Sequence, residues 1–172
     1  MIPRRQGREW ALQALVQCEL NPPPPEMPAA VWLDSALADF WSLAQAFEKE
    51  KKEAYPDYRV RKPNDEMREF TEERVRGVMA ERDSLDRMLE PFLEHWSLYR
   101  LGTIERNVLR LGAWELLNCG DIPVPIVINE AVDLAKFFSE TKSGRFINAV
   151  LDNFAKKMPA PGEAPPEGES AP

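Results

Sequence analysis

The chain carries one histidine, His95, and two cysteines, Cys18 and Cys119, so the side chains that most often act as nucleophiles or metal ligands are nearly absent. His95 stands beside Glu94 with no cysteine near it in sequence, and a lone histidine of this kind reads as a surface or packing residue. A structural zinc site needs four nitrogen or sulfur ligands at short spacings, which one histidine and two distant cysteines cannot supply. Asp83 and Asp86 share a helix spacing but lack further hard ligands. No glycine-rich phosphate loop of the GxxxxGK[ST] type is present. These residues point away from an enzyme, and no metal or nucleotide cofactor is expected.

The residues that remain are cations. Arg4, Arg5 and Arg8 cluster at the start of the chain with Glu9 as the only nearby acid. At a helix N-terminus they oppose the macrodipole, which prefers acidic residues there, so their placement points to a use elsewhere. Arginine suits phosphate, because its planar fork binds oxygens in pairs and its face stacks on bases. Lys142, Ser143 and Arg145 form a second basic, hydroxyl-bearing group at a helix start, where free backbone N–H groups also favour anions. Each group taken alone has a plain structural alternative, a solvated helix start for the first and a capped turn for the second.

The elements that must position these residues are helical. Leu12, Leu15, Val16 and Leu20 recur at helix spacing, and the proline run Pro22–Pro25 must end that first helix. Residues 28 to 53 predict a second helix whose apolar set is Val31, Trp32, Leu37, Phe40, Trp41, Leu43 and Phe47. From Glu66 to about His95 the apolar spacing predicts one long helix, with Gly77 as a weak point and Pro91 as a kink or end. Thr103 is a candidate N-cap for the next helix, which Asn118 and Gly120 close. Val127, Ile128, Ala131, Leu134, Ala135 and Phe138 mark a core helix entered through Pro123 and Pro125. Ser143 then caps a last helix carrying Phe146, Ile147, Val150, Leu151 and Phe154. The fold class is all-α.

Composition agrees with a soluble domain: 44% hydrophobic and 30% charged residues in 172, with no apolar run long enough for a membrane span. The N-terminus resembles a signal peptide until Glu9, Gln13, Gln17 and Glu19 interrupt it. With no CxxC spacing and no reason for the cysteines to pair, a cytoplasmic location is the simpler expectation. The net charge of −7 argues at first against nucleic acid, but location matters more than the total. Residues 159 to 172 hold three acidic and no basic residues in a Pro, Gly and Ala composition that predicts a disordered tail. Residues 22 to 66 hold nine acidic and six basic residues.

Three segments in order, RRQGREWALQALVQCEL, RLGTIERNVLRLGAWELL and PVPIVINEAVDLAKFFSETKSGRFINAVLDNFAKK, closely resemble the NusB family of bacterial transcription antitermination factors. The likeness covers about residues 4 to 20 and 66 to 157, and the pairing of INEAV with RFINAVLD is its specific part. It implies a compact helical domain of two small bundles over residues 1 to 158, within which residues 22 to 65 form a Pro-rich, charged, variable region. It also implies binding of the boxA element of ribosomal RNA leaders together with NusE, a small-subunit ribosomal protein. The pair would join RNA polymerase and further Nus factors. Carried onto this sequence, the resemblance assigns RNA contact to Arg4, Arg5, Arg8, Lys142, Ser143, Arg145 and Phe146, and partner contact to Glu105 and Arg106. It leaves Asn129 and Glu130 divided between function and helix packing, and monomer and homodimer both open.

Two departures and two rivals accompany the resemblance. Gly7 sits among the arginines where a better helix former would suit, which predicts a frayed first turn that orders on RNA. Trp32, Trp41 and Phe47 in the variable region are candidates for core cover or partner contact. A helical protein-interaction module without RNA affinity is one rival. The other is an RNA-holding module acting with a ribosomal RNA methyltransferase, which would need a second chain.

Overall fold

The computed structural model describes residues 4–57, 62–94, 96–139 and 142–157. His95 and the tail beyond residue 157 lie outside that set, as do the expectations attached to them. The described residues form helices and two short 3-10 turns, with no strand among them. In order these are α1 (Arg4–Leu20), α2 (Ala29–Ala54), α3 (Asp65–Ala80), α4 (Arg82–Leu89), α5 (Thr103–Asn118), α6 (Val124–Phe138) and α7 (Ser143–Lys157). The 3-10 turns cover Glu90–Phe92 and Leu98–Arg100. The chain divides into two compact units at Arg76 and Gly77, inside α3.

In the first unit α1 buries Trp10, Ala11, Leu12, Ala14, Leu15 and Cys18, so that of its predicted apolar set Leu12 and Leu15 are core, whereas Val16 is half-buried and Leu20, at the helix end, is exposed. Trp41 of α2 meets Trp10 edge-on at 5.4 Å and Phe40 at 5.0 Å, and its indole N–H donates to Glu72 Oε1 of α3 at 2.8 Å. α2 buries Trp32, Leu37, Phe40 and Trp41 but leaves Val31, Leu43 and Phe47 exposed, so only part of its predicted apolar set is core. Asn64 caps α3 by accepting from the Met67 backbone N–H at 2.8 Å. Gly7 is not the weak point that its type predicts. It is buried inside α1, and a Cβ there would strike the Phe70 ring. The Gly7 carbonyl also accepts from the Thr71 hydroxyl at 3.2 Å, so the glycine is where α1 and α3 cross closely.

In the second unit α5, α6 and α7 pack on one another and α4 packs on α5. α5 buries Val108, Leu109, Leu111, Ala113 and Trp114, covering several faces as expected of a central helix. The break in the predicted long helix falls at Glu81, whose ψ of 10° leaves the helical range, and not at Gly77. Gly77 is helical, a Cβ there would strike the Trp114 ring, and the indole N–H of Trp114 reaches Glu81 Oε1 at 3.2 Å. Gly102 occupies the N-cap position of α5, so Thr103 is the first helical residue and not the cap. Phe154 is fully buried against Phe92, with ring centroids 5.7 Å apart, whereas Phe138 and Phe146 are half-buried.

Candidate functional site

The structure divides the arginine trio. Arg4 and Arg5 lie exposed on the first turn of α1, with the Arg5 Nε 3.5 Å from Glu9 Oε1. Arg8, expected at the surface beside them, is only 3% exposed. Its guanidinium stands 5.7 Å from the Phe70 ring centroid, and that of Arg74 covers the same ring at 3.3 Å. Arg74 is itself buried and donates to the Phe70 carbonyl at 3.1 Å and to Glu73 at 3.2 Å. The physical reason is helix period: Arg8 stands three, four and seven residues before the buried Ala11, Leu12 and Leu15 and shares their inward face of α1. Arg8 therefore belongs to a stack that fixes α1 on α3, and Arg4 and Arg5 are what α1 presents to solvent.

The second predicted group is also divided. Lys142 and Arg145 are exposed, Phe146 is half-buried, and Ser143 is turned inward. The Ser143 hydroxyl donates to Glu105 Oε1 at 2.8 Å, and the Ser139 hydroxyl donates to the same oxygen. Glu105, read from sequence as a partner contact, thus joins the start of α5 to both sides of the turn between α6 and α7. A carboxylate at the opening of α7 sits where the helix dipole favours an anion, so the protein supplies its own anion there. This removes Ser143 from the surface set and leaves Lys142 and Arg145.

Burial of Glu105 pushes its carboxyl upward in pKa, but the hydrogen bonds from Ser139 and Ser143 and one from the backbone outweigh it. The net direction is below the ordinary carboxylate value. A depressed folded-state pKa contributes stability that is present above the unfolded value and lost as pH falls through the folded one. Glu105→Gln is accordingly expected to lower the melting temperature at neutral pH, with the gap to wild type closing as pH drops below about 4. Melting curves across pH check this, and a gap that widens in acid would contradict it.

Arg106, the other predicted partner contact, is half-buried and donates through Nη1 to the carbonyls of Leu101 at 2.9 Å, Tyr99 at 3.3 Å and Leu98 at 3.4 Å. It pins the segment before α5, from which Trp96 and Tyr99 project exposed. Asn129 faces solvent and Glu130 is half-buried. Sequence reasoning missed the buried pair of Asp86 and Arg110, joined by two bonds of 2.7 and 2.8 Å. Arg110 also donates to Asn107 Oδ1 at 3.4 Å. A Leu-Arg-Leu run in a helix that is apolar on several faces was the available signal.

Neither cysteine is in a disulfide. Burial pushes the Cys18 thiol up to about 11, which removes thiolate chemistry at neutral pH. Among the described residues no group of three or more His, Cys, Asp or Glu side chains is placed to hold a metal ion.

Comparison with known proteins decides what this arrangement is. A family model described as the NusB family matches residues 5–156. The chain belongs to the NusB family. It is 38% identical over 161 residues to the transcription antitermination protein NusB of Myxococcus xanthus, spanning 94% of this chain and 100% of that one. The corresponding NusB of Listeria innocua is 35% identical over 154 residues, 90% of this chain and 97% of its own. Among solved structures, T. maritima NusB superposes with a TM-score of 0.68 at 31% identity, covering 91% of this chain and 92% of that chain. A structure of the antitermination factors NusB and NusE in complex with dsRNA matches with a TM-score of 0.64 at 26% identity, over 91% and 98% of the two chains. The all-α NusB fold is therefore shared along nearly the whole length.

Proposed function

We propose that this protein is a transcription antitermination factor that binds boxA-type single-stranded RNA of ribosomal RNA leader transcripts together with NusE, and that the pair joins RNA polymerase and further Nus factors. The observation that carries this reading is the family match over residues 5–156, which takes in Arg5, Lys142 and Arg145 and begins directly after Arg4. RNA is met by exposed cations that neutralise phosphates, with Arg4 and Arg5 on α1 and Lys142 and Arg145 at the start of α7. Arg8 contributes from beneath by holding α1 on α3. Phe146 supports the start of α7 and offers its exposed edge to RNA. NusE meets the surface around the segment before α5, which Arg106 and Glu105 shape from within. The role is binding and not catalysis, and it is exercised in the cytoplasm where nascent transcripts are made. Residues 1 to 158 act as the binding domain. Among the described residues no helix is long and apolar enough to cross a membrane.

Titration of a fluorescent boxA-type RNA with the full chain, alone and with NusE, tests the proposal. Binding that tightens when NusE is added is expected, with a single strand preferred over a duplex of the same sequence. A chain that binds neither form, with or without NusE, would leave the family membership intact and remove the RNA function.

A further inference from the structure

We propose that Phe137 is a stacking platform for an unpaired base of the bound RNA, at the corner where α6 meets α7. The inference rests on the reading that Lys142 and Arg145 hold RNA phosphates, and adds to it a residue that reads the base and not the backbone. Phe137 is 65% exposed at the end of α6. A single exposed apolar residue needs no explanation by itself. Two features of its surroundings set this one apart.

The first is that the ring is held. Phe138 meets it edge-to-face, with centroids 4.9 Å apart and an interplanar angle of 81°, and Phe138 is itself half-buried. A supported aromatic loses little freedom when a base lands on its face.

The second is the charge around it. Lys136, Lys142 and Arg145 are all exposed, and the sequence of residues 136 to 145 holds these three cations and one acid, a net of +2. The start of α7 closes tightly on the last turn of α6. A Cβ added at Gly144 would lie 2.9 Å from Lys136 Cε, 3.1 Å from its Cγ and 3.3 Å from Val132 Cγ1. The Lys136 stem therefore lies against Gly144, between Ser143 and Arg145. Glu105, the acid that reaches this corner from α5, is already taken by Ser139 and Ser143. The half-buried Asp133 lies one turn before Phe137 on α6, so the acids near the ring are outnumbered but not absent. An exposed aromatic with exposed cations on the same two helix ends is the combination that binds single-stranded nucleic acid, with phosphates on the charges and a base on the ring. Phe146, the aromatic that the sequence singled out, is half-buried, so Phe137 is the better presented of the two.

The test is the affinity of the full chain for a fluorescent boxA-type single-stranded RNA over a range of salt, for wild type, Phe137→Ala, Phe137→Trp and Lys142→Ala/Arg145→Ala. Phe137→Ala is expected to weaken binding about tenfold with an unchanged salt slope, and Phe137→Trp to keep wild-type affinity. The double variant is expected to weaken binding and to reduce the log-log slope by about 1.4. Because Phe137 is exposed, its melting temperature should match wild type, which separates a binding defect from a folding one. Wild-type RNA affinity in Phe137→Ala, with the double variant impaired, overturns the role of Phe137 and leaves the phosphate site standing. Wild-type affinity in both variants overturns the site itself. Weakened NusE binding with unchanged RNA affinity makes Phe137 a protein contact and overturns the stacking role.

Discussion

Asp86→Ala is expected to destabilise the second unit by about 3–5 kcal/mol, enough to threaten its folding at physiological temperature. The reason is geometric. Arg110 is 1% exposed and Asp86 7%, and the two bonds of 2.7 and 2.8 Å form a paired fork between α4 and α5. Removing the carboxylate takes both of these bonds from a guanidinium held in the core, and breaking a buried pair on one side costs far more than the pair contributes. Two comparisons separate this from simple loss of volume. Asp86→Asn keeps the shape and an acceptor, so it should cost less than alanine. Asp86→Ala/Arg110→Met removes both charges, so it should recover much of the loss. Urea unfolding monitored by far-ultraviolet circular dichroism, which follows the helices, reads all three. A loss below about 1 kcal/mol for Asp86→Ala would show that the pair is not buried as described.

Arg4→Ala/Arg5→Ala is expected to weaken RNA binding roughly 10- to 100-fold at low salt, or about 1.4–2.8 kcal/mol, while leaving the melting temperature near wild type. Both side chains are exposed, so little of the fold depends on them. Arg8→Ala is expected to behave in the opposite way. Arg8 is 3% exposed and stands over Phe70, so its removal opens the α1 and α3 contact and lowers stability by about 1–3 kcal/mol. Its salt slope for RNA should stay at the wild-type value, because it neutralises no phosphate from the interior. Anisotropy titrations and melting curves on the same preparations separate the two behaviours. Equal loss of salt slope in both variants would place Arg8 on the RNA after all.

The contrast between Arg4, Arg5 and Arg8 shows what the sequence carried and what it did not. Periodicity was enough to find the helices, since Leu12, Leu15, Val127, Ile128, Leu134, Val150 and Leu151 fall on buried faces where spacing puts them. The same spacing places position 8 on the inner face of α1, but residue type argued for the surface, because arginine is seldom buried without partners. The partners, Phe70 and Arg74, lie more than sixty residues away and no local pattern announces them. Glu105 and Ser143 tell the same story. Each was noticed as a candidate contact, one for protein and one for RNA, and they prove to be hydrogen-bonded to each other across α5 and α7. Gly7 and Gly77 were read by intrinsic helix propensity, which tertiary packing overrides where a Phe70 or Trp114 ring fills the space that a side chain would occupy. The cationic character of two helix starts was legible, whereas the choice of which cations face solvent was set by long-range packing.

The salt dependence of RNA binding tests the central claim most directly. Four exposed cations, Arg4, Arg5, Lys142 and Arg145, each neutralising one phosphate, predict a log-log slope of roughly −3 for boxA-type single-stranded RNA. In the quadruple alanine variant the slope should fall close to zero and binding should weaken steeply at low salt, with the fold preserved. A quadruple variant that keeps both the wild-type slope and the wild-type affinity would contradict the account.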